Sequence, residues 1–271
     1  MDPSMKEEQG QGFSLRDCTA SMVVYKNPAA VVRDAAASFL NTDCSVTLHV
    51  VDNSPKDDLR SAFDGLPVAY HFSGENIGYG RAHNRAIFGA EPSKYHLVLN
   101  PDILIPAGTI RILIRFMDSH PDVGMACPRV LNEDGTDQYL NKRYPSVMDL
   151  FIRRFAPRSL HPLLKRRLDR YEMRDVGYDQ MCDVEVMSGA FMLCRAAELK
   201  KVGGFDPRFF LYFEDFDLSR RFQQEGYRTV YCPEAAVTHY WTRGAHKHIR
   251  MAAIFMVSMH RYFSKWGWKW L

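Results

Sequence analysis

Apolar and polar positions fall along this chain in blocks of two periods. Thr19 to Tyr25 is a short apolar run that closes on Lys26-Asn27-Pro28, which predicts a strand and a loop. Val32, Ala35, Ala36 and Phe39 then recur at helical spacing through Ala29 to Leu40. Val46 to Val51 is β-rich and breaks at Asp52-Asn53-Ser54-Pro55, a turn signal. Val68 to Phe72 predicts another strand, followed by the turn Gly74 to Gly80, a helix over Arg81 to Ala90 and a strand over Tyr95 to Leu99. Ile110 to Met117 reads as an amphipathic helix and Val123 to Val130 as a strand, with a hairpin turn at Leu131 to Gly135. Further on, short apolar runs at Val184 to Met187 and Ala190 to Cys194 flank Ser188-Gly189. Helices are predicted over Ala196 to Val202, capped by Gly203-Gly204, and over Glu214 to Glu225. Two strand-like runs follow, Arg228 to Cys232 and Ala236 to Tyr240. Strands alternating with helices imply an α/β fold with a mostly parallel sheet flanked by helices, whose ligands sit beyond the C-terminal strand ends. Asp52, the glycine turn after Phe72 and Asp102 all fall at such ends.

Composition narrows the class. The 271 residues are 46% apolar and 25% charged, sufficient for one large α/β domain with a C-terminal appendage. No apolar run approaches the roughly 20 residues that span a bilayer, and the polar N-terminus lacks an export signal core. The six cysteines are scattered without a CxxC pair, which fits reduced structural thiols in a cytoplasmic protein and gives no zinc pattern. The net charge of +3 hides an asymmetry. Phe151 to Arg174 holds eight Arg or Lys, and Arg243 to Leu271 has three tryptophans and no acid. Such stretches favour an anionic surface or ligand, and mixed cations and aromatics from His260 to Trp270 suit either a membrane interface or a helix packed on the core with a solvated basic face. No helix-turn-helix, RNP or zinc pattern supports nucleic acid as the partner.

The candidate chemistry lies in carboxylates. Asp52 either accepts the imide N–H of a pyrimidine or starts a turn by bonding its own backbone. Asn76, Gly78, Arg81 and Asn84 supply a flexible turn and a helix start that let the backbone approach a ribose or diphosphate. Asp102, after Asn100-Pro101, is the candidate ligand for Mg²⁺ or Mn²⁺, which bind through one or two carboxylates plus substrate phosphates; His239 is a candidate further ligand. Glu214, Asp215 and Asp217 crowd the first turn of a helix among aromatics, where a dipole-stabilised carboxylate serves as general base. Both Glu214 and Asp215 are candidates, because they point about 100° apart on the helix.

Taken in order, Asp52, the Asn-Ile-Gly turn, Leu99-Asn100-Pro101-Asp102, Ser188-Gly189-Ala190, Gly203-Gly204-Phe205-Asp206, Phe213-Glu214-Asp215-Phe216-Asp217-Leu218 and His239 resemble the GT-A (Rossmann-like) fold glycosyltransferases of family 2, in the rhamnosyltransferase-like branch. The resemblance covers residues 18 to 245. It divides the chain into an unstructured 1–13, a transferase domain over 14–245 and an amphipathic basic and aromatic segment over 246–271. It implies an inverting transfer from a dTDP- or UDP-linked sugar, with dTDP-L-rhamnose favoured, to a glycan or polyprenyl-diphosphate-linked acceptor in surface-polysaccharide synthesis. Asp52, Asn76, Gly78, Arg81, Asn84, Asn100 and Asp102 then belong to the donor side, with Asp102 and His239 on the metal. Asp215 is the base, Glu214 supports it or binds acceptor, and Ser188 and Gly189 line the acceptor side. Where the fold's metal motif is usually Asp-x-Asp, Asn100 stands first, which implies modest metal affinity and is usual in that branch. A nucleotidyltransferase is the rival enzyme, but it needs a Gly-rich, Arg/Lys-bearing loop where Lys26-Asn27-Pro28 stands. A non-catalytic sugar- or lipid-binding module would not need Asp102 and Asp215 together.

Overall fold

A computed structural model describes residues 15–155, 161–240 and 249–271. The N-terminal stretch and the expected boundary at 245 lie outside the described residues. The strands are β1 (Arg16–Val24), β2 (Val46–Asp52), β3 (Val68–Phe72), β4 (Ser93–Leu99), β5 (Ile103–Leu104), β6 (Val123–Leu131), β7 (Cys182–Asp183), β8 (Phe191–Arg195) and β9 (Arg228–His239). The helices are α1 (Ala29–Leu40), α2 (Tyr79–Gly89), α3 (Thr109–Ser119), α4 (Val147–Phe155), α5 (His161–Tyr171), α6 (Ala196–Lys201), α7 (Glu214–Gln224) and α8 (Ile249–Trp266).

One sheet runs β3-β2-β1-β4-β8-β6-β9-β5, with β7 on β9. The first four strands are parallel. β8 enters antiparallel between β4 and β6, and β6 then pairs parallel with β9. β1 is buried without interruption from Thr19 to Val24, as a central strand covered on both faces must be. Its even side, with Met22, Leu48 and Leu97, joins the core under α1 and α3. The opposite side of the sheet buries Val98, Met125 and Met192 against Leu199, Phe205 and Leu218.

One sequence expectation is corrected. Arg228 to Cys232 and Ala236 to Tyr240 are one strand, because the break at Pro233-Glu234 is taken up as a bulge: Pro128 pairs with Cys232 and Arg129 with Ala236. The apolar run Val184 to Met187 follows the short β7: the Val184 N–H donates to the Thr229 carbonyl of β9 at 2.9 Å, and Val186 forms an isolated bridge with Lys142. The hairpin turn is present, closed by the Leu131–Asp137 bridge and the Asn132 N–H to the Thr136 carbonyl at 2.7 Å. All six cysteines are free thiols.

α8 is docked, not loose. Tyr262 and Phe263 bury against Leu150, Phe209 and Phe213. Lys265 reaches Asp217 at 2.5 Å and Asp206 at 3.0 Å, and the Trp266 indole N–H donates to Asp217 at 2.9 Å. Asp217, fully buried, also pairs with Arg221 at 2.8 Å, so the third acid of the cluster anchors the C-terminal helix. The other side of α8 exposes Met256 and Val257.

Candidate active site

Asp52 ends β2 and is wholly buried. One oxygen accepts the Ser54 N–H at 2.7 Å and the other the Tyr70 hydroxyl at 2.6 Å. This is the turn-forming bond that Asp favours two residues ahead of a backbone N–H. The neighbouring Asn53 donates to the Gly78 carbonyl at 3.3 Å and keeps its Oδ1 buried without a partner. Asn76 Oδ1 accepts the Gly78 N–H at 3.0 Å. Gly78 has φ 91°, and a Cβ there would lie 2.6 Å from the Phe210 carbonyl oxygen, so only glycine fits. That close approach lets the Tyr79 N–H donate to the same carbonyl at 2.9 Å.

Two residues expected on the donor side have other occupations. Asn84 clamps Phe205 at both ends of its amide, donating to the carbonyl at 2.7 Å and accepting the N–H at 2.8 Å. Arg81 donates to the Pro207 carbonyl at 2.9 Å. Both side chains hold the loop that leads to α7, and their pull on the donor side is therefore indirect.

Asp102 follows β4 and is brought to the end of β9 by the β5 pairing of Ile103 with His239. Its Oδ1 lies 3.1 Å from His239 Nε2. The tautomer follows from the neighbours. Gln138 Nε2 donates to the His239 carbonyl at 2.8 Å, which turns Gln138 Oε1 toward His239 Nδ1, also at 2.8 Å. Nδ1 then carries a proton, and in the neutral ring Nε2 presents its lone pair to the carboxylate. Two acceptors at that separation fit a cation between them: ligands about 2.1 Å from an octahedral ion lie about 3 Å apart. Gln138 fixes the His239 ring from outside, the place an outer hydrogen-bond partner takes beside a metal-ligating histidine. Among the described residues no group of three or more His, Cys, Asp or Glu is arranged to hold a metal. The donor set thus suits a divalent ion that completes its shell with water and phosphate oxygens.

Tyr79, quoted in the glycine turn but given no role from sequence, links the two ends of the site. Its hydroxyl lies 2.7 Å from the Gly189 carbonyl and 3.1 Å from Asn100 Oδ1. Burial first, and then the charges of Glu214, Asp215 and Asp102, hold its phenol well above the ordinary value. One half-buried phenol therefore feels the acids of both ends.

At the far end, Asp215 Oδ2 accepts the Gly189 N–H at 3.0 Å and Oδ1 the Phe216 N–H at 2.9 Å. Glu214 is 5% exposed, and its Oε2 has no hydrogen-bond partner. Burial, then the adjacent Asp215 charge, pushes the Glu214 carboxyl well above its ordinary value. Burial also raises Asp215, but the two backbone N–H groups and the Lys142 charge oppose it. Both carboxyls are thus raised, Glu214 further than Asp215, so that of the two Glu214 is held more strongly toward its protonated form. They share a cavity of about 200 Å³ with Ser188, Lys142 and Tyr171. Ser188 Oγ accepts the Ala190 N–H at 3.3 Å. Lys142 is 4% exposed; burial and Arg153 depress its ammonium, and Glu172, at 3.9 Å, works against them. The sequence offered no signal for Lys142 beyond one more basic residue in a basic region.

A family model described as Glycosyltransferase like family 2 matches residues 22–253. A Mycobacterium tuberculosis (strain ATCC 25618 / H37Rv) protein named N-acetylglucosaminyl-diphospho-decaprenol L-rhamnosyltransferase is 30% identical over 257 residues, covering 88% of this chain and 80% of its own. The rhamnosyltransferase WbbL of Escherichia coli (strain K12) is 27% identical over 177 residues, 63% of each chain. Among solved structures, GalNAc-T7 with UDP, GalNAc and Mn²⁺ superposes with a TM-score of 0.63 at 13% identity, over 85% of this chain and 44% of its own. The mannosyltransferase PcManGT from Pyrobaculum calidifontis in complex with GDP-Man and Mn²⁺ gives 0.60 at 16% identity, over 86% and 59%. The chain spans about half the length of these two structures, and at such identities the likeness speaks for the fold, which is the GT-A arrangement the motifs implied.

Proposed function

The chain belongs to glycosyltransferase family 2, and on that premise we propose that it is an inverting, metal-assisted transferase acting on a lipid- or glycan-linked hydroxyl at the cytoplasmic face of a membrane. Its coarser identity is a rhamnosyltransferase-like glycosyltransferase of polysaccharide synthesis. The donor is a dTDP- or UDP-sugar, with dTDP-L-rhamnose first in line because relatives at this similarity are named L-rhamnosyl- and rhamnosyltransferases. The carrying observation is the Tyr79 hydroxyl, which joins the Gly189 segment holding Asp215 to the Asn100 segment leading to Asp102.

Asp215 takes the proton of the acceptor hydroxyl as that oxygen bonds to the anomeric carbon from the face opposite the diphosphate. The carbon–oxygen bond to the diphosphate breaks in the same displacement, its electron pair leaves with the nucleoside diphosphate, and the configuration inverts. The Gly189 and Phe216 N–H groups keep Asp215 ionised and aimed. Protonated Glu214 leaves a single negative charge beside the attacking oxygen and offers the acceptor a donor, while Ser188 and Gly189 wall the acceptor side. Asp102 and His239 would hold Mg²⁺ or Mn²⁺, which would neutralise the charge gathering on the leaving diphosphate. Asn53, whose buried Oδ1 has no partner, is the group left to accept an N–H of the base, and Asp52 shapes that end through Ser54 and Tyr70. Asn76 and Gly78 bring the backbone of the turn to the ribose.

The test is nucleoside diphosphate release from dTDP-, UDP- and GDP-sugars with Mg²⁺, Mn²⁺ or EDTA. Slow hydrolysis of one dTDP- or UDP-sugar, lost in EDTA, is the expected result. Silence on every donor together with no nucleotide-induced thermal shift overturns the transferase reading in favour of a binding module.

A further inference from the structure

Next to the Asp215 cavity lies a larger one of about 890 Å³. The two share Tyr171, a residue 3% exposed whose hydroxyl is buried with no hydrogen-bond partner. They are also divided by an extended segment in which Lys142 lines the smaller cavity and Arg143 the larger, as successive side chains of such a segment point to opposite sides.

The larger cavity is cationic beyond what its own acids balance. Arg143 pairs with Asp175 at 2.8 Å and Arg167 with Asp149 at 2.6 Å, while Glu185 accepts the Tyr144 N–H at 2.5 Å. Arg166, Arg170 and Lys269 remain. Among the described residues the two guanidiniums make no ion pair, although Asp175 feels the charge of Arg170. Exposed guanidiniums converging on a cavity, with an unused buried hydroxyl at its inner end, suit phosphate oxygens, which arginine binds in forked pairs.

The outer rim is apolar. The Val147 N–H donates to the Lys269 carbonyl at 2.8 Å and the Met148 N–H to the Trp270 carbonyl at 3.2 Å, laying the tail beside α4. Trp268 and Trp270, on either side of the lining residue Lys269, and Met148 and Phe151, beside the lining residue Asp149 on α4, are all exposed, and the two indoles stack at 5.3 Å. From Asp215 outward the order is therefore a hydroxyl-binding cavity, an arginine-lined cavity and an aromatic rim.

We infer that the larger cavity seats the diphosphate of the acceptor, a diphosphate diester whose sugar enters the Asp215 cavity and whose prenyl chain leaves over Trp268 and Trp270. This rests on the transferase reading of the Asp215 site. The order of sugar-, phosphate- and lipid-compatible surfaces matches that molecule and not a free diphosphate or a phospholipid headgroup, neither of which needs all three.

Binding of farnesyl diphosphate, a short prenyl diphosphate, is measured by calorimetry in EDTA, which suppresses a metal-dependent donor site. The wild type binds, Arg166→Gln/Arg170→Gln weakens binding about tenfold or more, and Tyr171→Phe weakens it several-fold. Both arginines are exposed and the tyrosine hydroxyl is unbonded, so thermal melting is expected to show all variants folded. Asp102→Asn keeps the affinity. Inorganic diphosphate binds more weakly than the prenylated probe. Loss of binding in Asp102→Asn with none in the arginine pair puts the probe in the donor site and overturns the inference. Equal affinity of the arginine pair and the wild type overturns it, as does competition by phosphatidylglycerol vesicles matching that by farnesyl diphosphate. A wild type that binds the probe but neither releases nucleotide from any donor nor shows a nucleotide-induced thermal shift condemns the transferase reading and leaves the diphosphate site standing.

Discussion

The two ends of the cleft are held in different ways. The donor end is built from strand tips: β2 stops on Asp52, β4 leads directly to Asp102, and a two-residue strand pins Asp102 to His239. Its geometry follows from the sheet: β2 and β4 flank β1 in parallel and so end on the same side, and the antiparallel β5–β9 pairing adds His239. The acceptor end is gathered from a helix start, an irregular segment, α5 and the tail. It is also strained. Tyr212 and Phe213 precede α7 with φ 69° and 67°, two successive non-glycine residues in the left-handed region. Each such residue costs about 1–3 kcal/mol. Burial of Phe213 against Phe209, Leu150 and Tyr262 offsets this and aims Glu214 and Asp215 into the cavity. Strand ends supply the proposed donor site as a consequence of topology, whereas the proposed acceptor site depends on side-chain packing far from it.

The sharpest way to break that contrast is Asp215→Asn. The amide is isosteric and its Oδ1 can still take a backbone N–H, so the fold and donor binding are expected to persist. Turnover falls about 10³-fold, within the range of a lost general base. A nucleotide-induced thermal shift preserved alongside lost turnover separates the two ends; turnover at the wild-type level removes Asp215 as base. A smaller effect belongs to the other end. Gln138→Ala frees the His239 ring and is expected to raise the Mn²⁺ concentration for half-activation by about 10–100-fold, the usual cost of losing an outer partner of a metal-ligating histidine. Excess metal should recover most of the rate. A drop in maximal rate that metal does not rescue would mean that Gln138 serves the fold rather than the ion site.

The same division governed what could be read from the sequence. Strands β1, β2 and β4 were legible because each is an apolar run ending at a polar turn, and the donor carboxylates came with them. Asp52 was legible as a strand terminus, but its two readings could not be separated without Tyr70, which arrives from the next strand. β9 was read as two strands because Pro233-Glu234 interrupts its pattern, and only the partner strand shows that the interruption is a bulge. Asn84 looked like a donor contact because it opens a helix after a glycine turn; its clamp on Phe205 depends on a residue far along the chain. Lys142, Tyr171 and Asn53 carry no local pattern at all. A lysine between asparagine and arginine reads as a solvated charge until the Val186 bridge buries it.

The finest test concerns the proton that Glu214 keeps. Its carboxyl is buried, and burial together with the neighbouring Asp215 charge raises it well above its ordinary value in the folded protein. In the unfolded chain it returns to about 4.3. Between those two points the folded state holds one proton more than the unfolded state, so stability falls as pH rises. The slope is about 1.4 kcal/mol per pH unit while the folded group stays protonated. Glu214→Gln removes that proton exchange and keeps the shape. The variant should gain on the wild type steadily as pH climbs above the unfolded value, when denaturant midpoints are compared at successive pH values from 4 to 8. At pH 4 both states of the wild type are largely protonated and the two proteins should differ least. Parallel pH profiles would mean that Glu214 ionises in the folded state as readily as in the unfolded one. The acceptor end would then carry two charges, and the assignment of Asp215 alone as base would lose its electrostatic ground.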